Sequence, residues 1–179
     1  MPDTDASLYQ RVMGESFSRL APALQRFHNL RGHQMLQGRV RTEAPVGWAA
    51  RLLARALGTP LQASAGAIRF ELFAQASEER WVRHFPQQGM SSVMRLQQGR
   101  IVEQLGAARL EFELAEVSGT LQMRLQRMHF FGLPCPRWLQ PRILAEERGD
   151  GDRLLFHIRA EVPGLGLVSA YRGHLELRR

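Results

Sequence analysis

The sequence contains no lysine; all 24 of its basic residues are arginine. It has one cysteine, Cys135, and no uncharged apolar run near the ~18 residues that a membrane-spanning helix needs. An internal disulfide and a spanning helix are therefore excluded. A lone thiol fits a reducing compartment, and the acidic opening MPDTDASLYQ has no apolar stretch of a secretory signal, so the expected location is cytoplasmic. Catalytic signatures are missing too. There is no Gly-x-Ser-x-Gly and no glycine-rich phosphate loop, and Gly164-Leu165-Gly166 lacks the third glycine and following helix of a dinucleotide site. The six histidines are scattered, with no His-x-x-x-His or Cys-x-x-Cys pair, so no metal or cofactor is expected. The adjacent carboxylates Glu78-Glu79 and Glu146-Glu147 point to opposite faces of a strand or sit in water-facing turns, so neither reads as an acid–base couple. No catalytic residue is expected.

Arginine does match phosphate oxygens well. Here, however, the net charge is only +7 and dispersed, with eight arginines against four acids in residues 1–60 and sixteen against thirteen in the rest. No basic block carries interleaved aromatics, which argues against nucleic acid as a partner. An arginine-only chain rich in alanine and leucine is also what GC-rich coding produces without selection for binding.

What is present is a change of period. Ser7 to Leu20 recurs at helical spacing through Leu8 and Val12, with Asp5 or Ser7 as cap and Gly14 weakening the middle. Pro22 opens a second short helix through Leu24, Phe27 and His28. Met35 to Thr42 reads as a strand, and Val46 to Leu57 as an amphipathic helix that Gly58 and Pro60 stop. Its stripe of Trp48, Leu52, Leu53, Ala56 and Leu57 is expected to cover a sheet, with Leu52 and Leu53 in the core. From Ala67 onward the period is two: Ile68, Phe70, Leu72; then Trp81, Arg83, Phe85; then Leu110, Phe112, Leu114; then Leu121, Met123, Leu125; then Leu154, Phe156, Ile158. Short turns join these runs, and the crossovers that parallel strands require are absent.

The expectation is one domain over residues 1–179, with a helical part containing one strand (1–60) and an antiparallel β meander (61–179). The fold class is α+β, mainly antiparallel β, with about nine strands curled into a sheet or barrel to manage the edges. Two features stand out as candidate sites. Arg83 lies between Trp81 and Phe85 on an inward face, and Ser169 and Tyr171 continue the face of Leu165 and Leu167. Those five positions, Trp81, Arg83, Phe85, Ser169 and Tyr171, suit a cavity for an apolar small molecule, lipid- or acyl-like, whose anionic end meets Arg83. The other feature is the corner from His129 to Trp138, where Phe130, Phe131, Leu133 and Trp138 offer apolar surface for docking. Cys135, between Pro134 and Pro136, has no evident activating partner and reads as an inert thiol.

Several short motifs resemble a bacterial family catalogued as domain of unknown function 4166. They are Leu8-Tyr9 to Gly14 with Phe17, Leu24 to His28, Gly38-Arg39-Val40, Ala50 to Gly58, Glu79-Arg80-Trp81 with Phe85, Leu133 to Pro136 with Trp138 to Arg142, and Gly164-Leu165-Gly166 with Tyr171-Arg172-Gly173. The resemblance covers nearly the whole chain and implies a β-rich domain with no catalytic residues to carry over. Members occur alone or joined to a dehydrogenase-like domain, which makes a dehydrogenase-like protein, or a second copy of the chain, the partner implied for the aromatic corner.

Overall fold

The computed structural model describes residues 6–177. Helix α1 (Leu8–Met13) starts at a reciprocal cap: the Gln10 amide donates to Ser7 Oγ at 3.0 Å, and the Ser7 amide donates to Gln10 Oε1 at 2.8 Å. Asp5, the other candidate cap, lies outside the described residues. Where one helix was expected to continue to Leu20, Gly14 takes a positive φ of 55° and the chain tightens into a 3₁₀ segment, Gly14–Arg19. Helix α2 (Pro22–His28) then begins on its proline. Together these segments plug one end of a barrel with Leu8, Tyr9, Phe17, Leu24 and Phe27, all buried.

The wall is built from β1 (Gly32–Glu43), β2 (Ser64–Ala74), β3 (Glu78–His84), β4 (Gly89–Gln97), β5 (Arg100–Leu105), β6 (Ala108–Val117), β7 (Thr120–Phe130), β8 (Leu133–Pro134), β9 (Arg142–Asp150), β10 (Arg153–Val162) and β11 (Gly166–Glu176). All pairings are antiparallel, and the order β6-β5-β4-β3-β2-β1-β11-β10-β9-β7 closes on itself through β6–β7, giving a ten-strand barrel with β8 as an extra strand. The expected nine strands become eleven because β8 is only two residues long and the C-terminal half holds three full strands. Closure removes the long free edges except where β7 and β9 part.

The seams differ in strength. Strand β6 pairs with β7 along ten residues, whereas β7 and β9 pair only at Leu121–Glu147 and Gln122–Glu146. Beyond Gln122 the two strands part, and β8 takes the vacant edge of β7 opposite His129 and Phe130. Two bulges re-aim side chains. One sets Phe112 against Leu125 but Glu111 against Arg127, leaving Gln126 as the extra residue. The other sets Ala160 against Ser169 but Glu161 against Leu167, leaving Val168 as the extra one. This corrects the expectation that Leu167, Ser169 and Tyr171 share a face, because the bulge puts Leu167 out of phase with the other two.

Helix α3 (Trp48–Leu57) covers the end opposite the plug and stops on Gly58, left-handed at φ 72°. It differs from expectation in which face it buries. Ala50 and Ala54 are buried against Val162 and Val168, with Leu53 and Leu57 beside them, while Leu52 is 59% exposed and Trp48 78%. Two alanines let the helix lie close to the wall, and that contact rotates the large side chains outward. Leu52 is therefore not in the core. The strand positions expected inside mostly are: Ile68, Phe70, Leu72, Leu110, Phe112, Leu121, Met123, Leu154 and Phe156 are buried, and Leu114, Leu125 and Ile158 are partly buried.

Candidate functional site

The barrel is not filled. A cavity of about 110 Å³ lies inside it, lined mainly by apolar side chains from β3 to β7 and β9 to β11, with Leu53 and Leu57 of α3 at its upper margin. A second space of about 30 Å³ adjoins it toward the plug, and Trp81, Arg83, Glu147, Ile158 and Tyr171 line both. The cavity reaches Met123, Met128, Pro141, Ile143 and Ala145, the residues flanking the parted stretch of β7 and β9.

Its polar groups come from alternation. Glu79, Trp81 and Arg83 occupy every second position of β3, and all three are buried, so the tryptophan's inward phase carries a carboxylate and a guanidinium with it. Arg83 is 6% exposed and lies over the rings of Trp81 and Phe70, at 5.0 and 5.8 Å from their centroids. It donates to Ser92 Oγ at 3.1 Å, and among the described residues no carboxylate comes within 4.0 Å of it. Glu103 and Ser169 line the same cavity, and the buried Ser169 hydroxyl has no hydrogen-bond partner among the described residues. Toward the plug, Trp81 Nε1 donates to Glu79 at 3.0 Å, His28 Nε2 donates to Glu147 at 2.7 Å, and the Tyr9 hydroxyl donates to Met94 Sδ at 3.2 Å. Burial pushes the Glu79 carboxyl up from its ordinary value, and Trp81 and His28 only partly oppose that. Burial also raises the phenols of Tyr9 and Tyr171, so both remain neutral hydrogen-bonding groups at ordinary pH.

Of the five expected cavity residues, Trp81, Arg83, Ser169 and Tyr171 line the cavity, while Phe85 packs on Tyr171 with ring centroids 5.3 Å apart and lines neither space. In the corner, Phe131, Leu133 and Trp138 are exposed and Phe130 is half-buried against the core. Cys135 is half-buried, and desolvation moves its thiol up, away from reactivity.

Of the two settings expected for the adjacent carboxylates, the strand with opposite faces holds and the water-facing turn does not. Glu79 and Glu147 both lie on strands and point into the barrel, each with a buried partner. Glu79 was findable, since it stands two residues before Trp81. Glu147 was not, because its inward phase follows from its pairing with Phe156, which no single sequence displays. Glu103 and His28 depend in the same way on register and on where the plug sits.

A closed antiparallel barrel, plugged by helices and holding a small apolar cavity with a buried arginine, is the class of protein that fold and site define. The profile of the family described as Domain of unknown function (DUF4166) matches residues 20–175, and the chain belongs to that family. No curated protein matches the chain. Among solved structures, the crystal structure of Rv2717c from M. tuberculosis aligns with a TM-score of 0.50 over 89% of this chain and 99% of that one. At 13% identity that likeness is one of fold alone.

Proposed function

We propose that the barrel is a binding module for a compact, largely apolar molecule whose polar end, a carboxylate or a similar acceptor, meets Arg83. The observation that carries this is the Arg83 guanidinium, buried in an apolar wall with, among the described residues, one hydroxyl as hydrogen-bond partner and no carboxylate within 4.0 Å. Burying a cation without compensation is costly, and a core position would ordinarily hold an aliphatic residue. An acceptor group in the cavity supplies the missing partner, and the unpaired Ser169 hydroxyl offers it a second contact. Glu103 on the same wall selects for a head group that also donates, such as a hydroxy acid or an acid amide.

Size narrows the choice. Typical ligand pockets measure ~300–1,000 Å³, whereas a dry cavity of ~150 Å³ takes one benzene. At about 110 Å³ this cavity fits a ring or a short branched chain. An extended acyl chain fits only with the β7–β9 seam opened further.

The test uses benzoate and 3-methylbutanoate, a ring and a short branched chain, as probes. Both should raise the thermal midpoint of the wild type, and Arg83→Leu should remain folded by circular dichroism yet show no shift. Native mass spectrometry of freshly purified protein, before and after organic extraction, should show a bound small mass that the variant lacks. An identical response of Arg83→Leu to both probes would remove arginine from the site and the proposal with it.

A further inference from the structure

The six most exposed large apolar side chains among the described residues all sit at one end of the barrel. They are Trp48 (78%), Trp138 (75%), Phe131 (72%), Leu133 (71%), Val46 (62%) and Leu52 (59%). Three belong to α3 and the segment leading into it, and three to the corner that carries β8. The two segments are joined at that end. The Phe131 amide donates to the Ala107 carbonyl and the Ala107 amide to the Ala56 carbonyl, so the β5–β6 turn ties corner to helix. Leu139 packs with the cluster of Ala50, Ala54, Val162 and Val168 that seats α3. Singly exposed apolar residues are ordinary on any protein, but six together, two of them tryptophans, mark a surface that something covers.

Charge says what covers it. Residues 44–63 and 131–142 contain Arg51, Arg55, Arg137 and Arg142 and no aspartate or glutamate. All four arginines are exposed, and none has a carboxylate within 4.0 Å among the described residues. The nearby acids are already taken, since Glu43 and Glu161 both bind Arg159, at 3.2 and 2.7 Å. At the plugged end acids are interspersed with the arginines: Arg19 pairs with Glu116 and Arg26 with Asp152, while Arg11 donates to the Ala76 carbonyl. Exposed tryptophan with aliphatic neighbours, ringed by arginine without counter-charge, matches the chemistry of an anionic lipid–water interface: rings at the headgroup level, guanidinium groups on phosphate.

The geometry points to docking of this end of the barrel on an anionic membrane surface, with α3 and the corner inserted to headgroup depth and no element spanning the bilayer. The surface includes the corner whose β8 pairs with the vacant edge of β7, so a docked barrel would present its cavity margin to the lipid.

Vesicles test this directly. Wild-type protein should co-sediment with phosphatidylcholine vesicles containing about one-third phosphatidylglycerol, and not with phosphatidylcholine alone or at high salt. Brominated acyl chains should quench Trp48 and Trp138, while the buried Trp81 supplies an unquenched background. The quadruple variant Arg51→Gln, Arg55→Gln, Arg137→Gln, Arg142→Gln should melt like the wild type and bind more weakly by roughly 5-fold per arginine removed. Trp48→Ser with Trp138→Ser should abolish insertion without changing the fold, because both side chains are exposed. Failure of the wild type to bind the anionic vesicles overturns the proposal, as does binding that leaves Trp48 and Trp138 unquenched. A concentration-dependent dimer that the double tryptophan variant abolishes, in protein that ignores vesicles, would assign the surface to a second copy of the chain.

Discussion

At the residue scale the barrel interior is an exercise in placing charge where water does not reach. Glu79 shows the consequence most simply. Its carboxyl is raised from the ordinary 4.5 chiefly by burial, so the folded protein holds this proton more tightly than the unfolded chain does. The stabilisation from that tighter binding is fully present below the unfolded value and is lost as pH rises through the window up to the raised folded value. Above that window Glu79 is a buried anion whose only hydrogen-bond donor among the described residues is the Trp81 ring nitrogen at 3.0 Å. Glutamine keeps that acceptor and removes the charge. Glu79→Gln should therefore unfold at a higher denaturant midpoint than the wild type at pH 8, with the gain shrinking as pH falls through that window and gone below about 4.5. Urea titrations at four pH values measure it, and a gain that grows toward low pH would mean that the carboxylate is held by attraction rather than strained by burial.

At the element scale the least forgiving junction is β1 against β11. Gly38 and Gly173 lie on these two strands, and each passes so close to its partner's backbone that a Cβ would collide, at Gly38 with the His174 carbonyl and at Gly173 with the Arg39 carbonyl. The strands can cross this tightly only where side chains are absent. Gly173→Ala should force β1 and β11 apart and cost more than the ~1 kcal/mol typical of a point substitution, with the loss of amide protection concentrated around Val40 and Gly173. Ordinary protection there would mean that the strands can separate without penalty. Elements were the level at which the sequence was most legible. Alternation placed Ile68, Phe70, Leu110, Phe112 and Leu154 inside, and breakers located most turns, because a half-buried strand advertises its phase in every second residue. Rotation of α3 was not legible: Trp48 and Leu52 form the larger apolar stripe, yet Ala50 and Ala54 make the contact. Periodicity reports that a helix has an apolar face; it does not report that closeness of approach can outweigh area. The bulges at Gln126 and Val168 were equally silent, since an inserted residue shifts phase without any special residue type.

On the scale of the whole molecule, a barrel closed on all but the parted β7–β9 seam would be expected to fill its interior, and this one leaves about 110 Å³ open. Unfilled volume costs ~24 cal/mol per Å³ in cores that have been emptied by truncation, which sets the stake here on the order of 2–3 kcal/mol. Under the proposed function that stake is recovered when an occupant binds beside Arg83 and Ser169, as RT ln(1 + [L]/Kd). Ala160 lets this be tested without touching the polar groups. It lines the cavity and pairs across the strand with Ser169. Ala160→Leu places three more carbons into the open volume, so it should gain roughly 2 kcal/mol of apolar burial and unfold at a higher denaturant concentration than the wild type. The same substitution should abolish the thermal shift caused by benzoate, because the ring and the leucine compete for one space. In a packed core the added carbons would instead cost ~1–3 kcal/mol. A destabilised Ala160→Leu that still responds to benzoate would place the probe outside the barrel, and the open interior would then need a different explanation.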